Sequence, residues 1–311
     1  MRILVTGGTG FIGSNLVKGL LKFGHEVWAT GSLSRNPLPK EVTVFEHGLI
    51  GLDWSEICSK LNGEKIDILF HQAANNDTTV TDFDAMHWAN VQSAIMTFEK
   101  ASAVGCRKFI YASSTAVYGD TPAPYKEDGP KHPLNAYAAS KLRLEYLAQG
   151  LANIRSKKKI VTIGLRYCNV YGPGEAQKGK RASMVYQLAQ QIRAGKQPKL
   201  FGDGEQRRDY IFVDDVVRAN ILAMELNETC VINCGTGQAT SFNELVQMLR
   251  MTIPTTDDYG WEEPAYIPNP YADAYQNFTQ CDMTKAREIM GFIPKYGIQE
   301  GIAKYYERGG L

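Results

Sequence analysis

The run Val5-Thr6-Gly7-Gly8-Thr9-Gly10-Phe11-Ile12-Gly13 restricts this chain more than any other stretch. Gly7, Gly10 and Gly13 recur every third residue, directly after a β-branched apolar segment and directly before one with helical periodicity. In that setting the first glycine allows a tight turn. The second lets a pyrophosphate reach backbone N–H groups at a helix N-terminus, and the third lets helix and strand pack closely. The spacing predicts a dinucleotide site built from Gly7, Gly10, Phe11, Ile12 and Gly13.

Short β-branched runs then alternate with helical-period segments. Strands are expected over Ile3–Thr6, Val27–Thr30, Val42–Phe45, Ile66–His71, Lys108–Ala112 and Ile160–Arg166. Phe11–Phe23, Asp84–Val104 and Ala136–Ala152 are long enough for crossover helices, so the fold class is α/β, a doubly wound parallel sheet. After Gly172 the rhythm gives way to a Gly/Lys-rich segment, a glycine turn at Gly202–Gly204 and a Pro/Tyr-rich tail, which reads as a smaller α/β substrate lobe. Tyr210–Val213 and Val231–Cys234 look like strands returning to the first sheet. The expected division is therefore interleaved, with residues 1–171 and 210–236 binding dinucleotide and residues 172–209 and 237–311 binding substrate.

Strand two normally ends in an acid that bonds the ribose hydroxyls and repels a 2′-phosphate. Here Gly31 stands in that place, followed by Ser32, Ser34 and Arg35, whose hydroxyl and guanidinium donors suit a phosphate. NADP is expected over NAD. Farther on, Tyr137-Ala138-Ala139-Ser140-Lys141 puts a phenol and an ammonium four residues apart on one helix face, where the ammonium is expected to lower the phenol pKa. Ser114 ends the fifth strand and offers a hydroxyl to orient a carbinol oxygen.

These motifs, with Arg166-Tyr167-Cys168-Asn169-Val170-Tyr171-Gly172-Pro173, resemble the extended short-chain dehydrogenase/reductase family over nearly the whole chain. The resemblance implies a Rossmann-type fold and a Ser114, Tyr137 and Lys141 triad, with Tyr137 exchanging the proton and Lys141 also holding the nicotinamide ribose. Ala73 joins the implied cofactor contacts. Dehydratases and decarboxylases of the family carry acids after the strand-end hydroxyl, whereas this chain has Thr115-Ala116-Val117, which favours simple epimerisation or reduction.

On the substrate side, Arg208 in Gly202–Asp215 resembles the family's diphosphate-binding arginine, and its planar fork suits two phosphate oxygens. Gly172–Gly179, Pro198–Phe201 and Tyr275–Asp282 resemble the family's nucleotide-linked heptose 6-epimerases, which implies Lys178 as a second acid/base. Asn169, Ser183, Phe201 and Tyr275 complete the implied substrate contacts, together with Ser114 and Lys178. Ala274 departs from that pattern, which has arginine there. The expected activity is a sugar-nucleotide epimerase, with a UDP-hexose 4-epimerase or an NADPH-dependent sugar-nucleotide reductase as alternatives.

Bulk properties narrow the partners. A net charge of +1 across 311 residues gives no single-signed field, so neither nucleic acid nor a membrane surface is expected. Six cysteines without a CxxC pair or zinc spacing read as reduced thiols, and no metal is expected. The apolar start and the lack of a spanning segment suggest a cytoplasmic location. A nucleotide-diphosphate sugar is the expected partner, within a homo-oligomer.

Overall fold

The computed structural model describes residues 1–46, 52–154, 160–254, 263–270 and 275–311. Seven strands form one sheet: β1 (Arg2–Thr6), β2 (Glu26–Gly31), β3 (Thr43–Glu46), β4 (Ile68–His71), β5 (Lys108–Ser114), β6 (Val161–Tyr167) and a late strand, Cys230–Cys234. The order is late strand, β6, β5, β4, β1, β2, β3, and every pairing is parallel. The order in which the chain adds strands across the sheet reverses between β1 and β4, which both run the same way, and the crevice of such a switch point lies at their C-terminal ends.

Side chains alternate across β1. Ile3 and Val5 pack with Leu16, Val17 and Leu20 of helix Phe11–Lys22, whereas Leu4 faces Phe98, Phe109 and Leu144 on the other side. Helices cover both faces, which is why these strands are buried almost throughout.

The expected strands form with ends moved by one to three residues, and helix Ala136–Ile154 runs two residues beyond its expected end. Asp84–Val104 is interrupted: helices Phe83–His87 and Ser93–Ala103 flank a π-helical turn, Trp88–Gln92.

One sheet assignment is corrected. β7 (Asn169–Tyr171), β8 (Lys199–Phe201), β9 (Arg207–Phe212), β10 (the late strand Cys230–Cys234), β11 (Ala239–Ser241) and β12 (Ala265–Ile267) complete the strand set among the described residues. β10 joins the large sheet as expected. β9, the strand expected over Tyr210–Val213, instead lies between β11 and β7 in a separate three-stranded sheet. Period-two apolar patterning marks a strand but carries no information on which sheet receives it. β9 supplies Tyr210 and Phe212 to a third core with Tyr171, Leu188, Leu200 and Phe242.

Candidate active site

The glycine turn lies at the β1/β4 crevice. Gly7 has φ +66°, and a Cβ there would sit 2.7 Å from the Ala73 nitrogen, so Gly7 and Ala73 close the floor backbone to backbone. A Cβ on Gly13 would come 2.1 Å from the Gly7 carbonyl oxygen. Helix Phe11–Lys22 has Gly10 as its N-cap, with no side chain bonding its first amides. A bare helix N-terminus above a floor that excludes every Cβ fits a dinucleotide pyrophosphate.

Beyond β2, Ser32 and Ser34 hydroxyls bond each other at 2.8 Å, and Arg35 is exposed. The loop also meets an acid that sequence reading missed. Glu46 pairs with Gly31 across β2 and β3, and its carboxylate accepts from the Leu33 N–H at 3.4 Å. Only the three-dimensional pairing of β3 with β2 reveals it.

Ser114 ends β5, and its Oγ accepts from the Ala116 N–H at 3.1 Å. Tyr137 hydrogen-bonds the Ser114 side chain. Lys141, only 1% exposed, donates to the Ala112 carbonyl at 2.9 Å, and its Nζ lies 5.8 Å from the Tyr137 ring centroid. The three expected residues are therefore brought together.

The expected electrostatics are corrected. Burial pushes the Tyr137 phenol up, while its bond to Ser114 opposes that shift. Lys141 is itself lowered to about 8 by burial, against the pull of Glu145. Desolvation outweighs any help from the ammonium, which stands over the ring rather than at the phenol oxygen.

The helix carrying Tyr137 has a support that the periodicity concealed. Asn90, inside the π turn, donates to the Ser140 Oγ at 3.0 Å and to the Asn75 carbonyl at 2.8 Å, and accepts from the Asn75 N–H at 2.7 Å. A π turn shifts side chains around the helix axis and brings Asn90 inward.

Lys178 is half-buried, with its Nζ 5.6 Å from the Phe11 ring centroid, so it stands beside the cofactor helix. Burial lowers its pKa; Glu175 opposes that shift and Arg181 adds to it. Two asparagines fix this segment. Asn15 donates to the Pro173 carbonyl at 2.8 Å, and Asn36 donates to those of Gly174 at 3.2 Å and Thr9 at 3.3 Å. Ser183 is occupied locally: it caps helix Met184–Arg193 and donates to Glu175 at 3.0 Å. Glu175, fully buried, also accepts from the Gly172 N–H at 3.0 Å and is the unforeseen anchor of this turn.

Phe201, Arg208 and Tyr275 form one cluster. The Arg208 guanidinium lies 4.8 Å from the Tyr275 ring centroid, and Phe201 meets Tyr275 edge-on at 6.2 Å. Asn169 begins β7 in register with Tyr210. Gln276 donates to the Gly119 carbonyl at 2.7 Å, joining the segment that carries Tyr275 to the loop after Ser114. Ala274 lies outside the described residues.

Residues 3–235 match the model of the NAD dependent epimerase/dehydratase family. The chain is 35% identical to the ADP-L-glycero-D-manno-heptose-6-epimerase of Brachyspira hyodysenteriae over 98% of its own length and 96% of that protein. Among solved structures, the UDP-glucose 4-epimerase of Thermotoga maritima matches with a TM-score of 0.87 and 32% identity, covering 99% of each chain. The ADP-L-glycero-D-manno-heptose-6-epimerase of Helicobacter pylori matches with a TM-score of 0.83 and 33% identity, over 99% of this chain and 95% of that one. Among the described residues no helix is long and apolar enough to cross a membrane.

Proposed function

The chain belongs to the NAD-dependent epimerase/dehydratase family of sugar-nucleotide enzymes, and on that premise we propose that it is a nucleotide-linked heptose 6-epimerase using NADP. The observation that carries this reading is the position of Lys178 beside Phe11 at the head of the cofactor helix. It supplies a second proton-transfer group besides Tyr137.

Gly7, Gly10 to Gly13 and Ala73 would hold the dinucleotide, with Lys141 at the nicotinamide ribose and Ser32 and Arg35 at the 2′-phosphate. When bound, the nicotinamide would supply a hydride acceptor and then the donor of the same hydride. Ser114 orients the carbinol oxygen, and Tyr137 or Lys178 takes its proton while the carbon is oxidised to a ketone. Rotation about the exocyclic bond presents the opposite face. With the nicotinamide bound, the other residue would donate the proton as the ketone is reduced on that face, so the product would be an isomer with no net redox change. Phe201, Arg208 and Tyr275 bind the nucleotide diphosphate, a role supported by the guanidinium of Arg208 lying over the Tyr275 ring beside Phe201.

A second reading, ring 4-epimerisation of a UDP-hexose, draws support from the likeness to the Thermotoga maritima enzyme. Nuclear magnetic resonance of the protein with nucleotide-linked heptoses and hexoses separates the two. Inversion at heptose carbon 6, with no deuterium incorporated from deuterium oxide, is expected. Inversion only at hexose carbon 4 would replace the first reading with the second, and stoichiometric consumption of NADPH would make the protein a reductase.

A further inference from the structure

Cys168 and Cys281 stand apart from the proposed chemistry. Their Sγ atoms are 2.8 Å apart, inside the ~3.5–4.0 Å optimum of ordinary carbon contacts and within an ångström of the about 2.05 Å of a disulfide bond. Both are buried, at 7% and 3% exposure. Their backbones are also fixed. Cys168 N–H donates to the Cys234 carbonyl at 2.9 Å, and Cys281 N–H donates to Asp209 at 3.1 Å. On either side of Cys281, Gln280 and Asp282 bond Tyr125, at 2.8 and 2.9 Å.

We propose that Cys168 and Cys281 form a disulfide on exposure to a peroxide, fastening the segment 275–282 to the turn between β6 and β7. Cys168 lies between Tyr167, which ends β6 of the large sheet, and Asn169, which begins β7 of the small one. Cys281 follows Tyr275 and Gln276 on the strip that lines the substrate side. The bond therefore turns a docked strip into a covalent wall of the site.

A metal is the rival occupant, because Cys168, Cys281 and Asp209 offer ligand atoms within 4.8 Å of one another. Two thiolates on tetrahedral zinc, with Zn–S about 2.3 Å, hold their sulfurs roughly 3.7 Å apart, farther than here. Asp209 is also committed. It accepts from the Thr236 N–H and hydroxyl at 2.7 Å, from Gly237 N–H at 2.9 Å and from Cys281 N–H.

The redox step balances in two stages. Peroxide oxidises one thiol to a sulfenic acid with release of water; the second thiol attacks that sulfur, expelling a second water and forming the S–S bond. The pair loses two electrons and two protons, and the peroxide is reduced to two waters. Burial pushes both thiols up and the Asp209 carboxylate adds to that, so the closed state is poor in thiolate. The first oxidation thus occurs when the strip lifts, and redocking completes the bond.

The test treats the full chain with hydrogen peroxide, blocks remaining thiols and maps peptides by mass spectrometry. A Cys168–Cys281 peptide lighter by two hydrogens and split by dithiothreitol is expected. The oxidised protein should gain several degrees in Tm and lose roughly tenfold in its rate of chymotryptic cleavage at Phe278, which is 42% exposed. Cys168→Ser or Cys281→Ser should abolish these changes, and Cys234→Ser should keep them. A link through Cys234, a link between chains, sulfinic acid at Cys281 without a link, or one retained zinc per chain would each overturn the proposal; the wild-type peptide map reads the first and third, the non-reduced mass of the denatured chain the second, and native mass spectrometry the fourth.

Discussion

Lys178 and Phe11 meet across the boundary between the substrate segment and the cofactor helix, with the ammonium 5.6 Å from the ring centroid. A lysine on a glycine-rich turn would ordinarily extend into water. Here Asn15 and Asn36 hold the turn's carbonyls, so the side chain is committed to one face of the crevice.

Lys178→Met should abolish epimerisation and remove one limb of the pH–rate profile. Glu175 opposes the lowering of the Lys178 pKa, so Glu175→Gln should move that limb to lower pH. Retained turnover in Lys178→Met, with only weaker nucleotide-sugar binding, would make Lys178 a phosphate ligand.

Tyr137→Phe removes only the proton-transferring oxygen and should cost about 10²–10⁴-fold in kcat while the protein still binds dinucleotide. Lys141→Met should damage both turnover and cofactor binding. Single-turnover kinetics and cofactor titration measure these effects, and near-normal chemistry in Tyr137→Phe would exclude it as acid/base.

The proposed NADP preference sets two charges against each other, Arg35 for the 2′-phosphate and Glu46 against it. Arg35→Ala should weaken NADP roughly tenfold more than NAD, because it deletes a charge-assisted bond to the 2′-phosphate. Glu46→Gln should shift the ratio the other way. Gly31→Asp is a poorer probe than it looks from sequence: at φ +150°, a Cβ there would lie 2.2 Å from the Thr9 hydroxyl oxygen. Fluorescence titration with both dinucleotides reads the ratios, and tighter NAD binding by the wild type would exclude the NADP preference.

His71 is fully buried, with Nδ1 2.8 Å from the Thr6 hydroxyl. Burial, with the Lys141 charge, lowers its pKa to about 3. The unfolded chain therefore binds a proton near pH 6.5 that the folded chain refuses until about pH 3, and stability falls as pH drops through that window. His71→Gln should remove up to about 1.4 kcal/mol per pH unit from the slope of unfolding free energy between those limits. Equal slopes in urea unfolding of the two proteins would refute this.

What the sequence disclosed was what local rules govern. The turn at Gly7–Gly13 is legible because a forbidden Cβ leaves a glycine behind, and Tyr137 and Lys141 because helical spacing puts them on one face. Glu175, Asn36 and Asn90 were not legible. Their partners are backbone groups or distant side chains, 138 residues away for Asn36 and Gly174, and nothing in a one-dimensional pattern marks a carbonyl as a target. β9 was found as a strand and given the wrong sheet for a related reason: alternation describes a strand's two faces and leaves its neighbours open.

Asn36 grips Thr9 and Gly174 with one amide, so the loop that follows Arg35 and the turn that leads to Lys178 share a single fastening. Two ligands that each tighten one side of such a fastening are thermodynamically linked. Whatever factor the dinucleotide adds to sugar-nucleotide affinity, the sugar nucleotide must return to the dinucleotide. Asn36→Ala should therefore reduce both factors by the same ratio, read by titrating each ligand with and without the other.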